Sequence, residues 1–346
     1  MKRILLSTFL LISLSLSAQN IDRKQVVERN NPHVVTMDSL NSLSVGNGGF
    51  AMTVDGTGLQ SFPKSYSKGV PLGTMSDWGW HSFTNPENYK QEESWRYYDY
   101  GRGRKEPYAT QIKEDKRKKA AGDWYRVNPH RLHLGTLGLS LGADPKNIQQ
   151  VNQILDMWDG MIKSSFIYHG RAYQVETTCH PELDMIATHV QSKGPIAFDI
   201  RFAYPTGGHC DDACDWNKDH LHSTMLVSQD KNSAVLKRTI DETVYFVILR
   251  WQGIAKLKQK GKKFYQLQSK SADLKLTCEY AEQLSSESKT FAEVADAAKA
   301  YWNSYWQKGA MVDFGQCKDP RAQEMERRVV LSQYLLAIQD AGDTPP

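Results

Sequence analysis

Ile162-Lys163-Ser164-Ser165-Phe166-Ile167-Tyr168-His169-Gly170-Arg171-Ala172-Tyr173-Gln174-Val175-Glu176-Thr177-Thr178-Cys179 spells two strands and a turn. Ile162, Ser164, Phe166 and Tyr168 alternate, His169-Gly170 makes the turn, and Tyr173, Val175, Thr177 and Cys179 alternate again. Successive side chains of a strand leave opposite faces, so a repeat of two marks a half-buried strand and the pair predicts a hairpin. The pattern continues outward. Ile186, Thr188 and Val190 lead through Lys193-Gly194-Pro195 to Ile196, Phe198, Ile200, Phe202 and Tyr204, which reads as a second hairpin. Residues 244–251 are apolar on both faces, as a strand in the middle of two stacked sheets should be. From Leu43 to about Cys278 the chain is therefore expected to be mainly β, a large antiparallel super-sandwich with no helical pattern between its strands.

The period changes after Ser285. Phe291, Val294, Ala295, Ala298, Trp302 and Tyr305 fall on one helical stripe, Thr290 and Glu293 have capping-box spacing, and Gly309 follows the end. A second helix is expected with Asp319 as its cap and Pro320 at its first position. Its wide apolar face would hold Met325, Val329, Leu335, Leu336 and Ile338, up to Gly342. Without partner helices that face would leave an apolar patch, favouring self-association, fraying or folding back onto the sandwich.

Composition bounds the compartment and the partners. Lys2 and Arg3 precede an apolar run, Ile4 to Leu16, and the small residues Ser15 to Ala18 suit a signal peptidase. Residues 1–18 are read as a signal peptide, the run being too short for a membrane span, and the location as periplasmic or extracellular. Without them the formal charge falls from +4 to +2, which argues against a nucleic-acid partner. The basic cluster Lys113 to Lys119 includes Glu114 and Asp115 and reads as a solvated loop. Five cysteines, Cys179, Cys210, Cys214, Cys278 and Cys317, leave at least one unpaired. A disulfide between Cys210 and Cys214 needs favourable geometry. Stability must come from a core, for which 16 Tyr, 11 Phe and 9 Trp are ample.

Between the strands lies a long aromatic-rich stretch, residues 61–103, and such loops are more often functional than filler. Within it Asp77, Trp78, Trp80 and His81 are the candidate substrate-binding residues. Sugars stack their C–H faces on indole rings, while Asp and His exchange hydrogen bonds with hydroxyls. The alternative is that these rings plug one end of the sandwich. For Trp95 to Tyr100, packing or interdomain contact is expected. His209-Cys210-Asp211-Asp212-Ala213-Cys214-Asp215, with His220 and His222 behind, has residue types that bind Zn²⁺. Its cysteines lack the C-x-x-C frame, and neither EF-hand Gly nor Glu spacing supports Ca²⁺, so a polar hairpin loop is expected and no metal or other cofactor. Asp156 and Asp159 flank Trp158; on a strand their odd separation would point them to opposite faces, and no catalysis is assigned to them. No G-x-S-x-G elbow, phosphate loop or zinc-protease helix occurs.

Leu43-Ser44-Val45-Gly46-Asn47-Gly48-Gly49-Phe50 resembles the S-x-G-N-G strand of glycoside hydrolase family 65 and its six-hairpin glycosidase relatives. Leu132 to Leu139 is similar to another sandwich strand of that group. So are residues 155–190, with the pattern L-D-x-x-x-G-x-x-x-S-x-F-x-Y-x-G-x-x-Y. Trp302 to Phe314 resembles the linker helix of these enzymes, and Asp319 to Pro346 their opening barrel helix. The resemblance implies a β-super-sandwich over 19–285, a helical linker over 286–315, and over 316–346 the single first helix of an incomplete (α/α)6 barrel. It also implies inverting attack, in which one carboxylic acid protonates the leaving oxygen while water or phosphate attacks the opposite face. In such enzymes those acids lie in the barrel, beyond Pro345-Pro346, so no catalytic residue carries over. A sandwich loop lines the barrel's mouth, the role this implies for Trp78, Trp80 and His81. The chain is thus expected to be the N-terminal part of an exported glycoside hydrolase or phosphorylase, inactive alone, whose partners are an oligosaccharide or glycoside and, as one route to a whole enzyme, a separately encoded barrel. The competing expectations are a stand-alone carbohydrate-binding module and, less favoured, an enzyme using carboxylates inside the sandwich.

Overall fold

The computed structural model describes residues 21–142, 144–208, 213–284 and 287–343. The signal peptide read over residues 1–18 and positions 209–212 of the His/Cys/Asp cluster lie outside them.

The hairpin at 162–179 forms as expected. Met161–Tyr168 and Arg171–Cys179 pair from Met161↔Thr178 to Tyr168↔Arg171. His169 and Gly170 both take positive φ, 47° and 73°, the sense of turn whose twist matches that of the strands it joins. The cross-strand pair Phe166 and Tyr173 stacks at 5.0 Å on the inner face. This hairpin supplies the third and fourth strands of a nine-stranded antiparallel sheet. In spatial order its strands are His33–Val34, Ile148–Asp156, Met161–Tyr168, Arg171–Cys179, Met185–Ser192, Asp273–Ala281, Thr243–Gln252, Ser233–Ile240 and His222–Gln229. A four-stranded sheet, Ala255–Gly261, Phe264–Ser269, Ala197–Arg201 and Thr136–Leu139, supplies the other inner layer. Ile162, Phe166, Val175 and Val247 of the first share one core with Phe198, Ile200 and Leu267 of the second. At about 25 cal/mol per Å² of buried apolar area, this shared core is what holds the layers together. The fold is mainly β, a sandwich, as the periodicity indicated.

Three local expectations are corrected. The second hairpin does not form: Met185–Ser192 pairs with Arg171–Cys179 and Asp273–Ala281, whereas Ala197–Arg201 pairs with Phe264–Ser269 and Thr136–Leu139. Lys193-Gly194-Pro195 therefore carries the chain from one sheet to the other. Two amphipathic strands joined by a turn fit either arrangement, and only long-range pairing decides. The basic cluster is only partly loop, since Asp115 accepts from the Lys118 amide at 3.0 Å and starts a helix at Lys116. Asp159 lies in the turn after the strand Ile148–Asp156, so the strand argument for opposite faces does not apply to it.

Five helices occur among the described residues: α1 (Arg23–Arg29), α2 (Pro63–Tyr66), α3 (Lys116–Arg126), α4 (Phe291–Gln307) and α5 (Ala322–Gln339). None is long and apolar enough to cross a membrane. Helix α4 starts with the predicted capping box, Thr290 Oγ1 accepting from the Glu293 amide and the Glu293 carboxylate accepting from the Thr290 amide. It docks on the turn at 157–160: Trp306 Nε1 donates to the Met157 carbonyl at 2.7 Å, and Trp302 covers Gly160. Helix α5 starts later than expected. Its first-turn cap is Arg321 with no capping side chain, while Asp319 accepts from the Arg321 amide one step earlier. Its inward face is also rotated, to Glu326, Val330, Tyr334, Ala337 and Ile338. Met325, Leu335 and Leu336 point outward, because Tyr334 reaches the Ser44 carbonyl (3.1 Å) and stacks on Trp302 (4.6 Å). The helix folds back on the sandwich with one face and leaves the other apolar face open.

Helix α1 ties both ends of the chain together. Arg23 donates to the carbonyls of Trp306 and Gly309 at the C-terminal end of α4, where helix polarity favours a cation. Arg29 donates twice to Glu326 of α5, at 2.9 and 2.8 Å, and Asn30 donates to the same carboxylate at 2.7 Å.

Candidate functional site

The Gly46-Asn47-Gly48-Gly49 segment joins the strands Leu43–Gly46 and Phe50–Val54, which form a small sheet with Thr74–Ser76. Asn47 braces it: its side-chain carbonyl accepts from the Gly49 and Phe50 amides, and its side-chain amide donates to the carbonyls of His180 and Leu183. The glycines make room for the end of α5. A Cβ on Gly46 would sit 2.6 Å from the Ile338 carbonyl oxygen. One on Gly48, where φ is +103°, would sit 2.8 Å from the Ala341 backbone. The Gly48 amide instead donates to Ile338 at 3.1 Å and satisfies a carbonyl at the helix end.

This close approach builds a cleft of about 360 Å³ between the small sheet and the last turn of α5. Its polar lining includes Asp77, Arg131, Gln339 and Asp340, with Met75 and Pro71 among its apolar walls. The Asp77 amide is held by the Gly49 carbonyl at 2.7 Å. Arg131 donates to the Ser76 carbonyl at 2.9 Å, and its guanidinium lies 4.3 Å from the Trp80 ring centre. Trp80 is 41% exposed, so it offers ring surface beside a fixed cation.

The four candidate residues separate. Asp77 lines the cleft and Trp80 joins it through Arg131. Trp78 turns inward, its indole N–H donating to Asp184 at 2.6 Å and its ring lying 6.0 Å from Tyr245. Asp184 also accepts from Ser76 Oγ; burial raises its pKa from the ordinary aspartate value against the pull of these donors. His81 is 3% exposed, with Nδ1 3.0 Å from His130 Nε2 and Nε2 2.9 Å from Asp241 Oδ2. Burial holds its pKa below the ordinary imidazole value, opposed by Asp241. In this geometry a hydroxyl cannot reach either ring nitrogen of His81. His81 meets Phe83 and His130 edge to face, and Phe83 stacks on Tyr204, so part of this loop plugs the sandwich. No local pattern singles out Arg131, Gln339 or Asp340. They reach the cleft only because Arg131 pairs across to Trp80 on a two-stranded ribbon and α5 folds back.

The other sequence candidates are occupied by structural work. Asp156 binds Lys163, and Asp159 lies 3.4 Å from Lys299 on α4. His222 Nδ1 accepts from the buried Arg238, and burial with that cation pushes its pKa down to about 3. Among the described residues no group of His, Cys, Asp and Glu is arranged to hold a metal ion. The disulfide considered for Cys210 and Cys214 falls outside the described residues.

No protein-family model matches this chain, and no curated protein matches it in sequence. Among solved structures, a candidate kojibiose phosphorylase from the human microbiome superposes with a TM-score of 0.50 at 10% identity. The match covers 90% of this chain and 42% of that one. A 4-α-glucanotransferase from Thermococcus litoralis, at TM-score 0.22 and 11% identity over 75% of this chain and 42% of that one, is too distant to bear on the fold. The chain thus spans less than half the length of the phosphorylase, and the likeness is one of fold: a glycoside-phosphorylase-like N-terminal architecture.

Proposed function

We propose that this chain is the sandwich region of an exported glycoside hydrolase or glycoside phosphorylase, and that the cleft beside α5 holds part of an oligosaccharide or glycoside. The observation that carries this is convergence. Asp77, Arg131 and Asp340, from three distant segments, line one open cleft, with Trp80 stacked behind the arginine. Few fixed polar groups against apolar walls is the usual composition of a small-molecule site, and a ring with carboxylates suits a polyol. The role is holding. Bond cleavage is assigned to a helical barrel that would cover the exposed Met325, Leu335 and Leu336 of α5, on the same or a second polypeptide. Export is part of the proposal and rests on the reading of residues 1–18.

The test is calorimetry of the purified chain with kojibiose and maltotetraose, alongside Asp77→Ala and Trp80→Ala. A holding site that lacks its other wall should bind weakly, with Kd near or above ~1 mM, and each substitution should weaken it further. Micromolar binding by this chain alone would favour a stand-alone carbohydrate-binding module. Hydrolysis or phosphorolysis by this chain alone would refute the holding role, and so would binding that neither substitution changes.

A further inference from the structure

Residues 95–109 form a two-stranded ribbon, Trp95–Asp99 against Lys105–Ala109, that pairs with no other strand among the described residues. Packing, one of the two roles expected for Trp95 to Tyr100 beside interdomain contact, holds only at the base: Tyr97, Tyr98, Tyr100 and Tyr108 are 62%, 44%, 56% and 54% exposed. Register sorts them. Arg96 faces Tyr108 and Tyr98 faces Glu106, so with the alternation Arg96, Tyr98, Tyr100, Glu106 and Tyr108 share one face. On it Tyr98 meets Tyr108 edge-on at 5.9 Å, and Tyr100 lies 6.2 Å from Tyr108. The turn that presents Tyr100 is fixed by the Tyr100 amide donating to Arg104 and the Gly101 amide to Asp99.

We propose that this face is a second glycan-binding platform, separate from the cleft, for a neutral polysaccharide chain. Three clustered rings form an exposed patch of the kind that marks a binding surface. Tyrosine adds a hydroxyl to each ring face, which suits a ligand with C–H faces and hydroxyl edges. Two guanidinium groups beside the rings are paired, Arg96 by Glu114 and Arg104 by Glu106. The paired guanidinium groups hold donors and acceptors beside the rings, while Arg102 and Lys105 of the same ribbon carry the positive charge that the polygalacturonate arm tests. Tyr and Arg also favour protein interfaces, so a protein partner is the competing occupant that the sedimentation arm below separates. The platform stands independently of the cleft and its assignment.

The test is native affinity electrophoresis of the full chain in gels containing soluble starch, dextran or mixed-linkage β-glucan, with polygalacturonate as the anionic arm. The expected result is retardation in at least one neutral gel, weakened about tenfold by the Tyr98→Ala/Tyr108→Ala double variant. The Tyr98→Phe/Tyr108→Phe variant should retain most of it. Because the rings are exposed, circular dichroism and the melting midpoint should not change in either double variant. The proposal is overturned if no neutral gel retards the chain, if the alanine variant is retarded equally, or if only polygalacturonate binds. A change of oligomeric state in the alanine variant by sedimentation would also overturn it, showing a protein interface.

Discussion

Replacing Glu326 by glutamine tests how the two ends of the chain are joined. The carboxylate is 2% exposed and accepts from Arg29 twice, from Asn30 and from the Phe314 amide. The Arg29 hydrogen bonds lead in pulling its pKa from 4.5 to about 2, opposed by burial. A fall of that size corresponds to at most about 3.4 kcal/mol. Arg29 is 30% exposed and also binds Asp313, so solvent and the second acid screen the pair, and about 2 kcal/mol is the expected loss. The sign follows from a depressed acid: the contribution is complete above pH 4.5 and is lost as pH falls toward about 2. Urea unfolding of wild type and Glu326→Gln should therefore differ by about 2 kcal/mol at pH 7 and converge between pH 4.5 and 2. Hydrogen exchange should show the loss first in α5, at Val330 and Tyr334. A difference below about 0.5 kcal/mol at pH 7, or one that stays constant down to pH 3, would refute the reasoning.

Three further outcomes are expected. Gly160→Ala should destabilise by about 3 kcal/mol or more, because its Cβ would fall 1.9 Å from Trp302 Cδ1 at a φ of +68°; a melting midpoint within 2 °C of wild type, on the order of 1 kcal/mol, would show that α4 can shift freely. Thr290→Ala removes one half of the α4 capping box and should cost about 1 kcal/mol in urea unfolding, with Thr290→Ser restoring most of it. His222 is neutral when folded down to about pH 3, whereas an unfolded histidine takes a proton near 6.5. Stability should fall as pH drops from 6.5 toward 3, and His222→Gln, which can still accept from Arg238, should flatten that part of the pH profile; an unchanged profile would count against the buried neutral ring.

Much of the fold was legible because it is local. Alternation over 162–179 with a two-residue turn admits few arrangements, and the hairpin formed there. The start of α4 was legible for the same reason, since a capping box is a four-residue motif. The failures share a cause. Residues 186–204 look like a hairpin but cross between sheets, and the inward face of α5 turns to Val330 and Tyr334 rather than to Met325 and Leu336. An amphipathic pattern says that a face is buried without saying against what, and a helix with apolar residues on two sides needs a neighbour to choose between them.

For the candidate site the division is sharper. The residue types of the aromatic loop mark it as a place of interest, and the glycines around Asn47 mark a tight backbone approach. Whether a given side chain serves a site or the core depends on contacts across the whole chain. His130 and Asp241 claim His81, Asp184 claims Trp78, and only Asp77 and Trp80 remain near open space. Arg131 and Asp340 join them because the sheet pairing and the return of α5 bring them there. Sequence by itself determined the β-sandwich class and the change to helix after Ser285, since hydrophobic period is written within a few residues. Tertiary structure alone decided which polar groups face solvent, because each buried polar atom must find a partner and those partners lie 49 to 160 residues away for the two His81 nitrogens.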